Sequence, residues 1–407
     1  MIPKRAKVVV IGGGVLGTSA AFHLADAGQK DVLLLDRGPI ASGTTPFAAG
    51  QTGYLKSDPT ALEFGVYCVE FFEQFEKRTG HAVDLHQHGS LLIALTEKYR
   101  AVLESRVPAA QSVGHEVELI SPERARELAP SLQLNQQSTI LWIPRDGYVE
   151  PKSVAVAFAA AATDRGATIR TRTPVTDVEI VDGRVRAVVT PSGRIETDWV
   201  VLAAGAWTRQ FGQRLGLNVK TVPVRHQAFV TGPMKNIAER QPVTRVIEPQ
   251  VYIRPYDDGL LVGGYGYRPL SFDMNDFPED FEISALEADQ VYYHQLMEAA
   301  REFFPALRDA TIIQERRGLP TIAVDGELIV SELEQAKGMI VAAACNVGGI
   351  YHSPGVGRVV ADIVTGRKPW MHAESLRADR FADDLDNDAT LRSRCEEGYA
   401  HHYHNVW

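Results

Sequence analysis

The sequence predicts an α/β chain in which a Rossmann-like parallel sheet, wrapped by helices, joins a second, strand-rich unit. Three observations carry the prediction. Lys7 to Asp36 reads strand, glycine turn, helix, strand; Trp199 to Trp207 and Met339 to Gly366 each repeat a buried strand running into a small-residue turn; and Thr221 to Gly264 is rich in strand patterns.

The opening stretch is the most specific. Val8, Val9, Val10 and Ile11 form a continuous β-branched run, as expected of a central strand buried on both faces. Gly12, Gly14 and Gly17 then fit GxGxxG: one glycine for the tight turn, one for close approach of backbone to a pyrophosphate, one for packing the next helix on the strand. That helix starts at Val15 and Leu16 and turns unsatisfied amides toward the same anion. Asp36 stands nineteen residues after Gly17, at the end of the second strand, where a carboxylate accepts hydrogen bonds from a ribose. These residues predict a dinucleotide site and leave NAD, NADP and FAD open. Asp36 opposes the 2'-phosphate of NADP, and Arg37 beside it could offset that opposition.

The loop from Arg37 to Gly53 is too polar and broken for a regular element, and its Gly43, Thr44, Thr45, Gly50 and Gln51 are candidates to follow a bound cofactor. Helices are predicted at Ala61–Arg78, Glu97–Val113, Ser121–Leu128 with Ser121 as cap, and Pro151–Arg165, with a strand at Gly89–Leu95. Val175–Ile180, Arg184–Val189 and Arg194–Thr197 alternate as a meander with turns at Asp182-Gly183 and Ser192-Gly193. Val175, where the meander starts, joins the cofactor candidates. Trp199–Ala203 is a further buried strand, leading into Ala204, Gly205 and Trp207. Ile283–Phe304 reads as one long helix closed by Pro305. The strand MIVAAA, the turn at Gly348, Gly349 and Ile350, and a helix from Pro354 to Thr365 complete the pattern, and a helix start there suits a second phosphate or a carbonyl oxygen. The charged stretch after Trp370 is expected to be a peripheral tail.

With 407 residues the chain is long enough for two cores. A net charge of -9 without a basic block excludes an electrostatic footprint for nucleic acid or anionic membrane. Cys68, Cys345 and Cys395 are widely spaced and offer neither a disulfide framework nor a CxxC pair. The first strand begins within about seven residues, too soon for a signal peptide, and no apolar run reaches the ~18 residues of a membrane helix. A cytoplasmic protein is expected. His86 with His88, and His401, His402 and His404, lack a placed carboxylate or cysteine partner, so no metal site is predicted.

Three segments, VVVIGGGVLGTSAAFHLADAGQKDVLLLDRG, DWVVLAAGAWTRQFGQRLGL followed by VPVRHQ, and GLPTIAVDGELIV with VGGIYHSPGVGRVVADIVTG, resemble the FAD-dependent amine oxidoreductases that include sarcosine oxidase, glycine oxidase, D-amino-acid oxidase and dimethylglycine dehydrogenase. The resemblance implies an FAD domain of discontinuous pieces, residues 1–82, 146–216 and 315–370. It implies a substrate domain, residues 83–145 and 217–314, on a large mixed, mainly antiparallel sheet, with 371–407 as C-terminal tail. It also implies hydride transfer from the carbon beside an amine nitrogen to flavin N5, giving an imine that water hydrolyses.

Departures from the family refine the expectation. Where covalently flavinylated relatives place a histidine after tryptophan, this chain has Pro46-Phe47, and where monomeric sarcosine oxidases use a cysteine it has Gly318, so FAD is expected to be non-covalent. Pro320 and Tyr351 replace the arginine and lysine that anchor carboxylates in relatives; Arg254, Arg316 and Arg317 remain as anion partners. Leu261 replaces an oxygen-activating lysine, so the acceptor is oxygen or a separate carrier. Tyr252, on the strand that also carries Arg254, and His226 complete the catalytic candidates with Tyr351, Arg254 and Arg317. The expected function is oxidation of a small or medium secondary or tertiary amine, or an N-methyl amino acid. A 2-hydroxyacid or polyol dehydrogenase, and a flavin subunit of a multimeric sarcosine oxidase or amino-acid dehydrogenase complex, are the alternatives. Homo- and hetero-oligomers both remain open.

Overall fold

Strands that read as unbroken apolar runs need cover on both faces, and they receive it. The computed structural model describes residues 2–53, 55, 59–238, 240–370 and 373–406. Val8–Ile11 lies at the heart of a nine-stranded sheet, parallel to Val32–Leu35 on one side and Trp199–Leu202 on the other. Ala336–Ala343 continues the parallel core beyond Trp199–Leu202, and the meander 177–181, 184–190, 193–196 closes that side with antiparallel pairs. On one face, helix Val15–Asp26 packs between Pro151–Asp164 and Gly349–Val364. The first and last of these approach closely enough for Ser19 Oγ to donate to Ser353 O at 2.6 Å.

The second sheet has eight strands in the order 312–318, 226–231, 259–264, 251–256, 243–246, 90–94, 139–143, 118–120. All its pairs are antiparallel except 243–246 with 90–94. Helix Gln290–Phe303 covers one face through Tyr292, Tyr293, Leu296 and Met297.

Three expectations change. The helix expected from Ile283 starts at Gln290, because the Asp289 carboxylate accepts from Val291 N and Tyr292 N and caps it there. The last long helix starts at Gly349, before Pro354. Proline is tolerated inside it because Ser353 Oγ, at 2.7 Å, donates to the Ile350 carbonyl that a residue-354 amide would have used. The third change concerns the stretch after Trp370, which is no peripheral tail. It forms helices Asp388–Ala400 and His402–Val406, and Leu391, Cys395, Tyr399 and Tyr403 are buried in one cluster with Tyr252 and Tyr265. Their four-residue spacing marks a single buried helical face among charged neighbours.

Among the described residues, no helix is long and apolar enough to cross a membrane.

Candidate active site

The glycine turn is built by backbone touching backbone. A Cβ on Gly12, whose φ is +115°, would lie 2.3 Å from the Ala203 carbonyl oxygen, and one on Gly17 would lie 1.9 Å from that of Gly12. Helix Val15–Asp26 therefore starts against the strand ends, with Gly14 as a cap that offers no side chain. Val15 N donates to Thr45 Oγ1 at 3.1 Å. Asp36 accepts from Gly13 N at 2.5 Å and Gly38 N at 2.6 Å, and each oxygen retains a lone pair for a ribose hydroxyl. Burial raises its pKa, and the two amides work against that rise.

From this helix start a cleft with about 890 Å³ of open space runs between the two sheets. Its near walls are Val15, Leu16, Thr44, Thr45, Gly205, Gly349 and Ile350, all expected beside the cofactor. Gly318 to Thr321 form another side, where a Cβ on Gly318 would lie 2.9 Å from Thr44 Cγ2, leaving a cysteine crowded. Apolar walls, helix amides and a placed carboxylate fit FAD.

His226, Tyr252 and Tyr265 form the far end of the cleft. His226 Nε2 lies 2.7 Å from Tyr252 Oη and Nδ1 lies 2.8 Å from Tyr399 Oη, while the ring stacks on Tyr265 at 5.1 Å. Burial depresses the imidazole to about 4, so it is neutral near pH 7. The same burial holds Tyr252 well above the usual phenol range.

A second, small cavity shares Ala48, Ala49, Tyr265, Val347 and Ile350 among its lining with the cleft. Gly50, Gln51 and Tyr351 line this cavity rather than the cleft, and His402 and Tyr403 of the C-terminal helices close it. Its cation is Arg245, 3% exposed, which the sequence reading did not single out. Arg245 Nε donates to Gln51 Oε1 at 2.6 Å; Nη1 stands 3.7 Å from Asp146 Oδ2, and neither Nη makes a hydrogen bond among the described residues. The available signal was a lone arginine in the apolar strand Val243–Val246.

The arginines that were expected at the site are turned elsewhere. Arg254 is 1% exposed and bonded to Ala49 O, Pro255 O and the Glu150 carboxylate, which makes it a structural strut. Arg317 pairs with Glu315 at 3.4 Å, and Arg316 donates to Ala48 O and Gln314. None of the three lines either cavity. Arg37 lies over the Trp207 ring at 4.0 Å and donates to the carbonyls of Glu279 and Phe281; Gly43 abuts the same ring. Those bonds occupy the guanidinium that could have met a 2'-phosphate. Val175 packs against the core cluster that contains Leu33 and Leu35 and lines neither cavity, Ala204 precedes the turn at Gly205, and Gly348 caps the helix Gly349–Val364.

A profile described as "DAO: FAD dependent oxidoreductase" matches residues 7–363. Human mitochondrial dimethylglycine dehydrogenase is 34% identical over 93% of this chain and 44% of its own length. The 4-methylaminobutanoate oxidase (formaldehyde-forming) of Paenarthrobacter nicotinovorans is 28% identical over all of this chain and 50% of its own. The chain thus spans about half the length of these curated relatives. Among solved structures, L-proline dehydrogenase from P. horikoshii superposes with a TM-score of 0.83 at 24% identity, over 93% of this chain and 98% of that one.

Proposed function

Because the chain belongs to the DAO family of FAD-dependent oxidoreductases, we propose that it oxidises a carbon–nitrogen bond of a small secondary or tertiary amine that carries a carboxylate. One observation carries this reading. Tyr252, whose hydroxyl lies 2.7 Å from His226 Nε2, and the buried Arg245 are cross-strand partners on neighbouring strands, and the two cavities they line share five residues.

In this reading Gly12, Gly14, Gly17 and the amides after Gly14 hold the pyrophosphate of non-covalent FAD, Asp36 holds its ribose, and Thr44, Thr45, Gly205, Gly349 and Ile350 flank the rest. FAD, when bound, supplies the two-electron acceptor for the hydride on the carbon beside the amine nitrogen, and the resulting imine is hydrolysed by water. The protein's task is to present that amine neutral and oriented. Arg245 with Gln51 binds the carboxylate, Tyr265 and Tyr351 give aromatic walls, and the fixed pose supplies much of the acceleration. The neutral form of the amine is the one that reacts, because its nitrogen lone pair assists hydride loss; the buried, neutral His226 and the Tyr252 hydroxyl 2.7 Å from it offer that form hydrogen-bonding groups and no cation to repel.

His226 also favours a second reading, a 2-hydroxyacid dehydrogenase, since an imidazole relay can take a proton from a hydroxyl. Anaerobic mixing with matched amines and 2-hydroxyacids, followed by flavin bleaching, separates them. Bleaching by carboxylated amines supports the proposal; bleaching by hydroxyacids alone refutes it. The resemblance implies an oxygen-activating lysine where this chain has Leu261, which is fully buried and lines neither cavity, so a separate electron carrier is favoured and dye reduction should outpace oxygen consumption.

A further inference from the structure

One wall of the Arg245 cavity comes from outside both sheets. The helix His402–Val406 supplies Tyr403, 4% exposed, whose ring centroid lies 4.9 Å from that of Tyr265, and His402, whose ring lies 4.6 Å from the same tyrosine. We propose that Tyr403 is a specificity-determining residue that limits the substrate to a short-chain amine, and that Gln250 is the positioning residue that holds Tyr403 in place. The inference rests on the reading above that Arg245 binds the substrate carboxylate in this cavity.

Gln250 ends the turn between the strand of Arg245 and the strand of Tyr252, in the left-handed region with φ +55°. Its backbone carbonyl accepts from Tyr265 N at 2.9 Å. Its side-chain amide grips the C-terminal segment on both sides of His401: Nε2 donates to Ala400 O at 2.6 Å, and Oε1 accepts from Tyr403 N at 3.1 Å. Each atom of that amide thus meets a complementary backbone group. Gly266 makes room for the grip, since a Cβ there would lie 2.6 Å from Gln250 Nε2 and 3.1 Å from Ala400 O. One buried residue therefore holds Tyr265 through its main chain and Tyr403 through its side chain.

The loop that supplies Ala48, Ala49, Gly50 and Gly53 to the same cavity has little to give. It carries almost no side chain there, and it is pressed against its surroundings: a Cβ on Gly50 would lie 2.0 Å from Val149 O, and one on Gly53 1.9 Å from Asp146 Oδ2. Gln51 and Arg245 are bonded to each other, and Tyr265 is stacked on His226 as well as held by its amide. A longer substrate gains room first at the C-terminal helix, and the two Gln250 side-chain bonds oppose that displacement. Well-packed interiors resist added methylenes for the same reason.

The test titrates the FAD-bound protein with two unreactive ethers, methoxyacetate and n-butoxyacetate, and reads binding from the shift of flavin absorbance. The wild type should bind the short ether roughly tenfold more tightly or better. Tyr403→Ala removes the ring. Gln250→Asn keeps an amide and suits a positive φ, but is one methylene too short to make both bonds. Each should shrink the preference by about tenfold, whereas Tyr403→Phe keeps the ring and should keep the preference. Visible flavin absorbance and Tm identify folded variants, and if Tyr403→Ala does not fold, Gln250→Asn decides. A wild type without the preference overturns the inference, as does a preference unchanged in the folded variants or moved as far by Tyr403→Phe as by Tyr403→Ala. Flavin bleaching by N-methylglycine and N-butylglycine should follow the same order. If the ether preference responds as expected while neither amine bleaches the wild type, the proposed reaction fails and the size limit stands. If the amines bleach and the preference does not move, the size limit fails and the reaction stands.

Discussion

Removal of the Arg245 guanidinium should abolish the preference for a carboxylate-bearing amine. Arg245 lines the cavity, its Nη1 stands 3.7 Å from Asp146 Oδ2 and neither Nη makes a hydrogen bond among the described residues, so a substrate carboxylate that reached them would form charge-assisted bonds worth about 1.5–3 kcal/mol. At about 1.4 kcal/mol per decade, that is roughly a 10- to 150-fold loss in kcat/KM. Arg245→Met alone would also strand Asp146, which is fully buried and bonded through its side chain to Ser90 Oγ at 2.5 Å. An uncompensated buried charge costs about 3–5 kcal/mol of stability. The test is therefore the Arg245→Met/Asp146→Asn double variant, with Asp146→Asn as its control. The assay compares kcat/KM for N-methylglycine and for its primary amide. The ratio should fall by tenfold or more, with the amide's own value held within about threefold. Equal losses for both compounds would mean a structural role for Arg245, and an unchanged ratio would remove it from the substrate site; either result refutes the assignment.

Gly17→Ala should bind FAD about tenfold more weakly or worse, read as lost visible absorbance, since its Cβ would sit 1.9 Å from the Gly12 carbonyl oxygen and must force helix and strand apart. Acid precipitation should release the yellow colour into the supernatant, because Pro46, Phe47 and Gly318 offer no atom for covalent attachment; colour retained in the pellet would contradict this. Stability should fall on acidification between pH 6.5 and about 4. Burial lowers both His23 and His226 from 6.5 to about 4, so over that window the unfolded chain binds protons that the folded chain refuses. Each contributes up to about 3 kcal/mol that is fully present above pH 6.5 and lost as the pH falls. Urea midpoints should be level above pH 7, and His23→Gln should shallow the acid limb; an unchanged limb would refute the assignment.

What could be read in the sequence was local. The strand, glycine turn, helix and acid at Val8–Asp36 are neighbours in the chain, so their pattern survives inspection of the residues alone. His226 and Tyr252 could each be singled out, but their joining needs the strands 226–231 and 251–256 laid on either side of 259–264. Arg245 was hidden because its meaning comes from Gln51, 194 residues away, and from Asp146 on a third segment. A lone arginine in a strand otherwise resembles a solvated face. The C-terminal helices were misread because charged residues surround the buried spacing of Leu391, Cys395, Tyr399 and Tyr403. Average polarity concealed a one-sided pattern.

The loop that follows the strand Val32–Leu35, residues 37–53, explains how one site can serve both cofactor and substrate. Thr44 Oγ1 accepts from Leu319 N at 3.0 Å and Thr45 Oγ1 from Val15 N at 3.1 Å, tying the loop to the cradle. Four residues on, the Ala49 carbonyl accepts from the buried Arg254, and the Gln51 side chain accepts from Arg245. Arg254 itself is desolvated, which lowers its pKa, and the Glu150 carboxylate at 2.9 Å offsets that penalty. A strut of this kind is poorly suited to binding substrate, since its bonds go to Ala49 O, Pro255 O and the Glu150 carboxylate. Its value lies in fixing Ala49, which with Ala48 lines both cavities. Tyr252 and Arg245 are themselves cross-strand partners, so sheet pairing fixes the relative position of the two side chains. Selection should accordingly act on the length of the spacer between amine and carboxylate.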